Sequence, residues 1–149
     1  MQHRVFAYGT LMFPGIAAVV TGEQPPRQGA RLDGHARRAL RDRPCPGAFP
    51  CRDESIPGVL LHRVSPRALA RIDEFEGERY RRQRVNVQAD DGVEHTALVY
   101  LLRPRWHPLL LPHDWCHDTF HRQWHAHYIR RLSAEFGAAP GHPTTVRAT

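Results

Sequence analysis

Lysine is absent. All 21 basic residues of the 149-residue chain are arginine, which removes the phosphate-binding lysine of a P-loop, the Schiff-base lysine and the lysine nucleophile. Serine is scarce: Ser55, Ser65 and Ser133 are the whole set, and none stands in a G-x-S-x-G turn, so serine hydrolases are poor candidates. The three cysteines, Cys45, Cys51 and Cys116, cannot all pair within one chain, and Cys45 and Cys51 lack the C-x-x-C spacing of a metal or redox site. Such cysteine usage points to a reducing cytoplasm. No apolar run approaches the roughly 20 residues of a membrane-spanning helix. Met1-Gln2-His3-Arg4 leads directly into a strand-like run, so neither a membrane association nor an export signal is expected.

The composition that remains, 41% hydrophobic and 24% charged, is that of a folded soluble chain. One domain is expected over residues 1–137, with a loose tail over 138–149 that carries Pro140 and Pro143. The net charge of +6 would suit a polyanion, yet the arginines are scattered. Their one dense run, Arg79-Tyr80-Arg81-Arg82-Gln83-Arg84, would be split between the two faces of a strand. Nucleic acid is therefore not expected as a partner.

Along the chain, Arg4 to Tyr8 reads as a short strand broken by Gly9-Thr10-Leu11. A strand ending in this way leaves backbone N–H groups accessible, which can hold a carboxylate or an oxyanion. Pro14 to Val20 reads as a helix stopped near Gly22, Arg27 to Leu40 as one or two irregular strands, and Arg43 to Pro50 as a rigid proline-rich loop. Ile56 to Val64 and Val85 to Val87 read as strands; Asp90-Asp91-Gly92 is a hairpin turn, and Thr96 to Leu102 is the returning strand. Arg103 to Pro112 reads as a surface crossing that, with the loop from Arg43 to Cys51, shapes an outer pocket. A single final helix is expected from about Asp114 to Phe136, with Phe120, Trp124, Tyr128, Leu132 and Phe136 as its buried stripe.

The most informative stretch lies between Ser65 and Gly77. Ser65 is an N-cap residue, Pro66 suits the first helical position, and Gly77 suits the end. At 100° per residue, Ala68, Leu69, Ile72 and Phe75 fall on one apolar arc, with Arg67, Arg71 and Glu74 opposite. Glu76 lies seven residues after Leu69 and four after Ile72, so it points with the apolar side chains, while Asp73 stands at the edge of the arc. A carboxylate so placed is desolvated and acquires a pKa suited to proton transfer near neutral pH. On spacing alone, a helix end with Glu76 in water or ion-paired to an arginine remains the alternative.

His113, His117, His121 and His125 recur every four residues, a spacing found among zinc ligands. They lie 100° off the apolar stripe, on the flank of the final helix, where histidines are ordinarily solvated. No metal site is expected there.

The order of these pieces resembles the γ-glutamylcyclotransferase-like family, including its γ-glutamylamine cyclotransferase, or avirulence-induced-gene-like, branch. The resemblance rests on Val5-Phe6-Ala7-Tyr8-Gly9-Thr10-Leu11 and Gly58-Val59-Leu60. It continues through Ile72-Asp73-Glu74-Phe75-Glu76-Gly77 with Tyr80-Arg81-Arg82, then Ala97-Leu98-Val99-Tyr100, and covers about residues 4 to 136. It implies an α+β fold, a small mixed β-barrel with packed helices. It further implies that Tyr8, Gly9, Thr10 and Leu11 cradle a γ-glutamyl head group, that Glu76 is the catalytic general acid/base, and that Tyr80 is an aromatic near the pocket. The substrate would be a small γ-glutamyl amine or peptide that cyclises to 5-oxoproline without cofactor or metal. The rival expectations are a ligand-binding or regulatory member of the same fold and, behind it, an arginine-rich nucleic-acid binder.

Overall fold

The computed structural model describes residues 1–137; the expected tail over 138–149 lies outside them. Five strands close a barrel in the order β1-β3-β2-β4-β5: β1 (His3–Ala7), β2 (Arg27–Ala39), β3 (Pro46–Val64), β4 (Tyr80–Ala89) and β5 (Glu94–Leu102). All pairings are antiparallel except β1 with β5, whose parallel register Val5↔Leu98 closes the barrel. The helices α1 (Pro14–Thr21), α2 (Pro66–Glu76), α3 (His117–Gln123) and α4 (His125–Phe136) complete the α+β architecture expected from the sequence.

Period-2 patterning divides the strand side chains between two cores. Phe6, Leu32, Ile56, Leu60, Val87, Val99 and Leu101 fill one cluster, contributed by the strands and by Tyr8. Val5, Ala7, Leu61, Tyr80, Tyr100 and Leu102, on the alternate positions, pack against α1, α2 and α4 in the other. Adding a Cβ at Gly58 would put it 2.5 Å from the Ala7 carbonyl oxygen and 2.6 Å from the Phe6 ring. That position accepts only glycine because the backbone of β1 is itself the obstacle.

The helix α2 forms as its sequence dictates. Ser65 Oγ accepts from the Ala68 N–H at 3.0 Å and donates to Glu23 Oε2 at 2.5 Å. Gly77 closes the helix at φ 77°, a region that side-chain-bearing residues rarely occupy. Ala68, Leu69 and Ile72 are buried and Phe75 half-buried. On the opposite face Arg71 does more than meet solvent: its guanidinium donates to the carbonyls of Val19, Val20 and Phe136, tying α2 to the ends of α1 and α4.

Several expectations are corrected. Residues 46–50 are strand rather than loop. Proline is tolerated there because β1 pairs only with residues 59–64 of β3, so Pro46, Pro50 and Pro57 lie beyond its reach and owe no N–H on that side. Of the one or two irregular strands expected over Arg27 to Leu40 the structure makes one, bent at Gly34 where the register shifts between Asp33 and His35. The final helix is two: the chain breaks at Trp124 (φ −126°), which is 40% exposed, while Phe120, Tyr128, Leu132 and Phe136 keep the buried stripe. The segment 103–113 carries a 3-10 helix, Pro104–Leu109, and braces the end of the β2–β3 hairpin through Ala39 N–H to His113 O and Leu111 N–H to Ala39 O. It does not border the cavity described below. Alternation also fails to bury any of Arg81, Arg82 and Arg84: all three are exposed, and Arg82 is paired with Asp73.

A Gly58→Ala substitution is expected to destabilise the fold by about 2–3 kcal/mol, because the clash is with main chain that has no room to yield. The change is read as a lowered midpoint of urea unfolding. A midpoint equal to that of the wild type would show that β1 can retreat.

Candidate active site

Three backbone segments and one helix converge at the open end of the second core. Glu76 is the last residue of α2, the chain after β1 turns sharply through Gly9, and the turn between β2 and β3 brings in residues 42–46. Together with α4 they enclose a cavity of about 570 Å³. Tyr8, Gly9, Thr10, Leu11, Glu76 and Tyr80 all border it. Residues 43–46 border it too, as expected of the loop from Arg43 to Cys51, and so do Tyr100, Tyr128 and Arg131, which the sequence reading did not place there. Only Tyr128 carried a signal, its position on the apolar stripe; the others come from segments that meet only in the fold.

Glu76 is half-buried, since the cavity reaches its tip, but protein surrounds the remainder. Burial pushes its pKa up to about 8, and the charge of Asp73 one turn earlier adds to the rise. Its carboxylate forms no hydrogen bond or ion pair with another described residue. Asp73 is differently served: Oδ1 accepts from the Tyr100 hydroxyl at 2.6 Å and Oδ2 from Arg82 Nη1 at 2.7 Å. Two neighbouring acids of one helix thus have opposite environments, one solvated and paired, the other desolvated and unmatched. Such a division separates a titrating group from its supporting neighbour.

The aromatic hydroxyls are committed to structure. Tyr8 donates to the Tyr100 carbonyl and Tyr80 to the Pro46 carbonyl at 2.6 Å. Burial raises both phenols well above their ordinary value, so these side chains wall the cavity as neutral rings. Burial, followed by the Glu76 charge, also raises the Cys45 thiol, whose sulfur lies 3.9 Å from the Tyr80 oxygen.

The loop after β1 is drawn close to the hairpin turn. A Cβ on Gly9 would fall 2.8 Å from Cδ and Cγ of Pro46. Residues Thr10–Met12 form a single 3-10 turn, with Met12 N–H donating to Gly9 O at 3.0 Å and Phe13 N–H to Thr10 O at 3.2 Å. The N–H groups of Thr10 and Leu11 meet no acceptor among the described residues. Both residues are buried and border the same cavity as the unmatched carboxylate of Glu76.

The model of the family described as "Gamma-glutamyl cyclotransferase, AIG2-like" matches residues 5–117. The chain belongs to this family. AIG2-like protein D of Arabidopsis thaliana is 29% identical over 93 residues, 62% of this chain and 61% of that protein. Protein AIG2 C of the same plant is 32% identical over 93 residues, 56% of its length; each match thus spans less than two thirds of the relative. Among solved structures, an Arabidopsis thaliana protein determined in solution superposes with TM-score 0.70 at 24% identity, covering 89% of this chain and 90% of its own. A structure titled "Gamma-glutamyl cyclotransferase" superposes with TM-score 0.63 at 17% identity, covering 98% and 93%. At such identities the structural likeness speaks for the fold alone.

Among the described residues, no three or more histidine, cysteine, aspartate or glutamate side chains are grouped to hold a metal ion. The histidine row is in part an aromatic stack: His117, His121 and His125 lie with ring centroids 4.3, 5.7 and 5.1 Å from that of Phe13. No helix among them is long and apolar enough to cross a membrane.

The raised pKa of Glu76 has a sign that can be measured. Between the unfolded value near 4.5 and the folded value of about 8, the folded chain holds the extra proton. The ionised carboxylate therefore weakens folding increasingly as pH rises through that window. Glu76→Gln is expected to match the wild type in stability near pH 4.5 and to exceed it by on the order of 2 kcal/mol at pH 8, allowing for the solvent in the cavity. Urea unfolding at several pH values reads the difference, and a difference independent of pH would contradict the assignment.

Proposed function

We propose that the protein is a γ-glutamyl cyclotransferase that converts a γ-glutamyl amine or peptide to 5-oxoproline and a free amine, with Glu76 as general acid/base. The observation that carries the reading is that Glu76 borders one cavity with Thr10 and Leu11, whose N–H groups are unmatched among the described residues. Family membership supports the same reading.

The substrate contains its own nucleophile, so the protein has two tasks: to fold it and to move a proton. The Glu76 carboxylate takes one proton from the α-ammonium, and the freed amine attacks the γ-carbonyl carbon to form the ring C–N bond. The carbonyl oxygen gains negative charge in that step, and the Thr10 and Leu11 N–H groups are the donors available to receive it. As the bond to the departing nitrogen breaks, Glu76 returns its proton to that nitrogen. The second proton lost by the ring nitrogen is taken up by the released amine. A carboxyl group at about 8 is matched to an α-amino group whose ordinary pKa is also near 8, so the transfer is close to balanced in both directions. Tyr8 and Tyr80 act as apolar walls that keep the reacting groups from water, and Asp73 holds the charge that lifts Glu76 further.

The test is release of 5-oxoproline from a panel of γ-glutamyl amines and dipeptides. The value of kcat/KM is expected to climb with pH along an acid limb whose apparent pKa lies near 8, as Glu76 ionises. Glu76→Gln should lose at least about a hundredfold in kcat; undiminished release by this variant would remove Glu76 from the mechanism.

A further inference from the structure

The family motifs name no leaving amine, but the far end of the cavity has a chemistry of its own. We propose that Arg43 and Arg131 form the leaving-group end of the cavity and favour γ-glutamyl substrates whose departing amine carries a carboxylate, as an amino acid or a peptide does. The inference rests on the cyclotransferase reading above.

The cavity has a direction. Tyr8, Thr10, Leu11 and Tyr80 border it and are buried, whereas Arg43 and Arg131 border it and are exposed. The wall that holds Glu76 is therefore the inner end, and the two arginines stand at the mouth. A γ-glutamyl group folded against Glu76 has its amide nitrogen directed outward, because its α-amine and γ-carbonyl occupy the inner end. Whatever is attached to that nitrogen extends towards the arginines.

Arg43 and Arg131 border the mouth together with Tyr128 of α4. Arg131 stands 4.7 Å over the Tyr128 ring, and the positive charge of Arg43 is felt at the Tyr128 phenol and at Cys45. Neither guanidinium lies within ion-pair distance of a carboxylate among the described residues. Two carboxylates also border the opening. Asp42 is already held by Arg79, through contacts of 2.7 and 3.1 Å. Glu135 is the other, and it sets one negative charge against the two positive ones of Arg43 and Arg131. A guanidinium presents paired donors that fit a carboxylate, and a partly enclosed mouth screens that attraction less than open water does. The inner and outer ends then divide the work: the inner end recognises what every γ-glutamyl compound shares, and the outer end discriminates among leaving groups.

The experiment compares γ-glutamyl-alanine with γ-glutamyl-ethylamide, which differ only by the leaving group's carboxylate. γ-Glutamyl-1,4-diaminobutane is the cationic third member, and 5-oxoproline release by the full chain is followed for all three. The expected order of kcat/KM is anionic above neutral by about tenfold, with cationic lowest. In the Arg43→Ala/Arg131→Ala double variant the anionic-to-neutral ratio should fall towards one. Because both substrates are read on the same preparation, any loss of folded protein cancels from that ratio. Equal or better use of the neutral or cationic compound, or a ratio unchanged in the double variant, overturns the inference while leaving the cyclotransferase reading in place. Release from none of the three defeats that reading and the inference with it.

Discussion

A carboxylate at the end of α2 with no donor to match it is the constraint on which the site depends. Desolvation penalises the charged form of Glu76, and the adjacent Asp73 adds a like charge instead of relief. An arrangement of this kind is stable only if the surrounding structure holds it, since a small shift would let an arginine or solvent compensate. Arg82, the cation beside α2 at this end, is bound to Asp73, whose other oxygen is held by Tyr100. Two of the cavity's phenols are likewise engaged, Tyr8 with the Tyr100 carbonyl and Tyr80 with that of Pro46. Hydrogen bonding thus withholds these groups from Glu76.

The barrel supplies the rigidity this requires. Parallel closure of β1 against β5 fixes the strand from which the Gly9 loop emerges, and the absence of a side chain at Gly58 lets β3 press against that strand's backbone. Across the cavity the β2–β3 hairpin reaches well past β1, and the segment 103–113 braces its tip. The close fit of Gly9 on Pro46 joins these two walls. Arg71 performs the corresponding task for the helices, holding the ends of α1 and α4 to α2 through three carbonyls. Helix α4, whose apolar stripe is otherwise ordinary core, brings Tyr128 and Arg131 to the opening.

The two ends of the cavity differ in how legible they were. Glu76 could be found from helical periodicity because a 13-residue stretch with its own cap and stop sets the direction of each side chain locally. The hairpin at Asp90-Asp91-Gly92 and the turn after Tyr8 were legible for the same reason. The proline-rich segment misled, because proline argues against a strand only where a neighbouring strand needs its N–H, and the reach of β1 is not written near residue 46. The break at Trp124 was missed for a related reason: the four-residue stripe runs through it unbroken, and no proline or glycine between residues 117 and 136 marks it.

What the sequence determined by itself was therefore local. It set the caps and length of α2, the inward direction of Glu76, the strand periodicities and, through the spacing of its motifs, the family and the α+β barrel. The tertiary structure decided what meets what. It put Thr10, Leu11 and Glu76 around one cavity, gave Asp73 its partners 9 and 27 residues away in Arg82 and Tyr100, and brought Arg43 and Arg131 to one opening. The physical reason is that periodicity and propensity act over a few residues. Desolvation and the matching of charges depend on every atom within several ångströms, and those atoms are gathered only when the barrel closes.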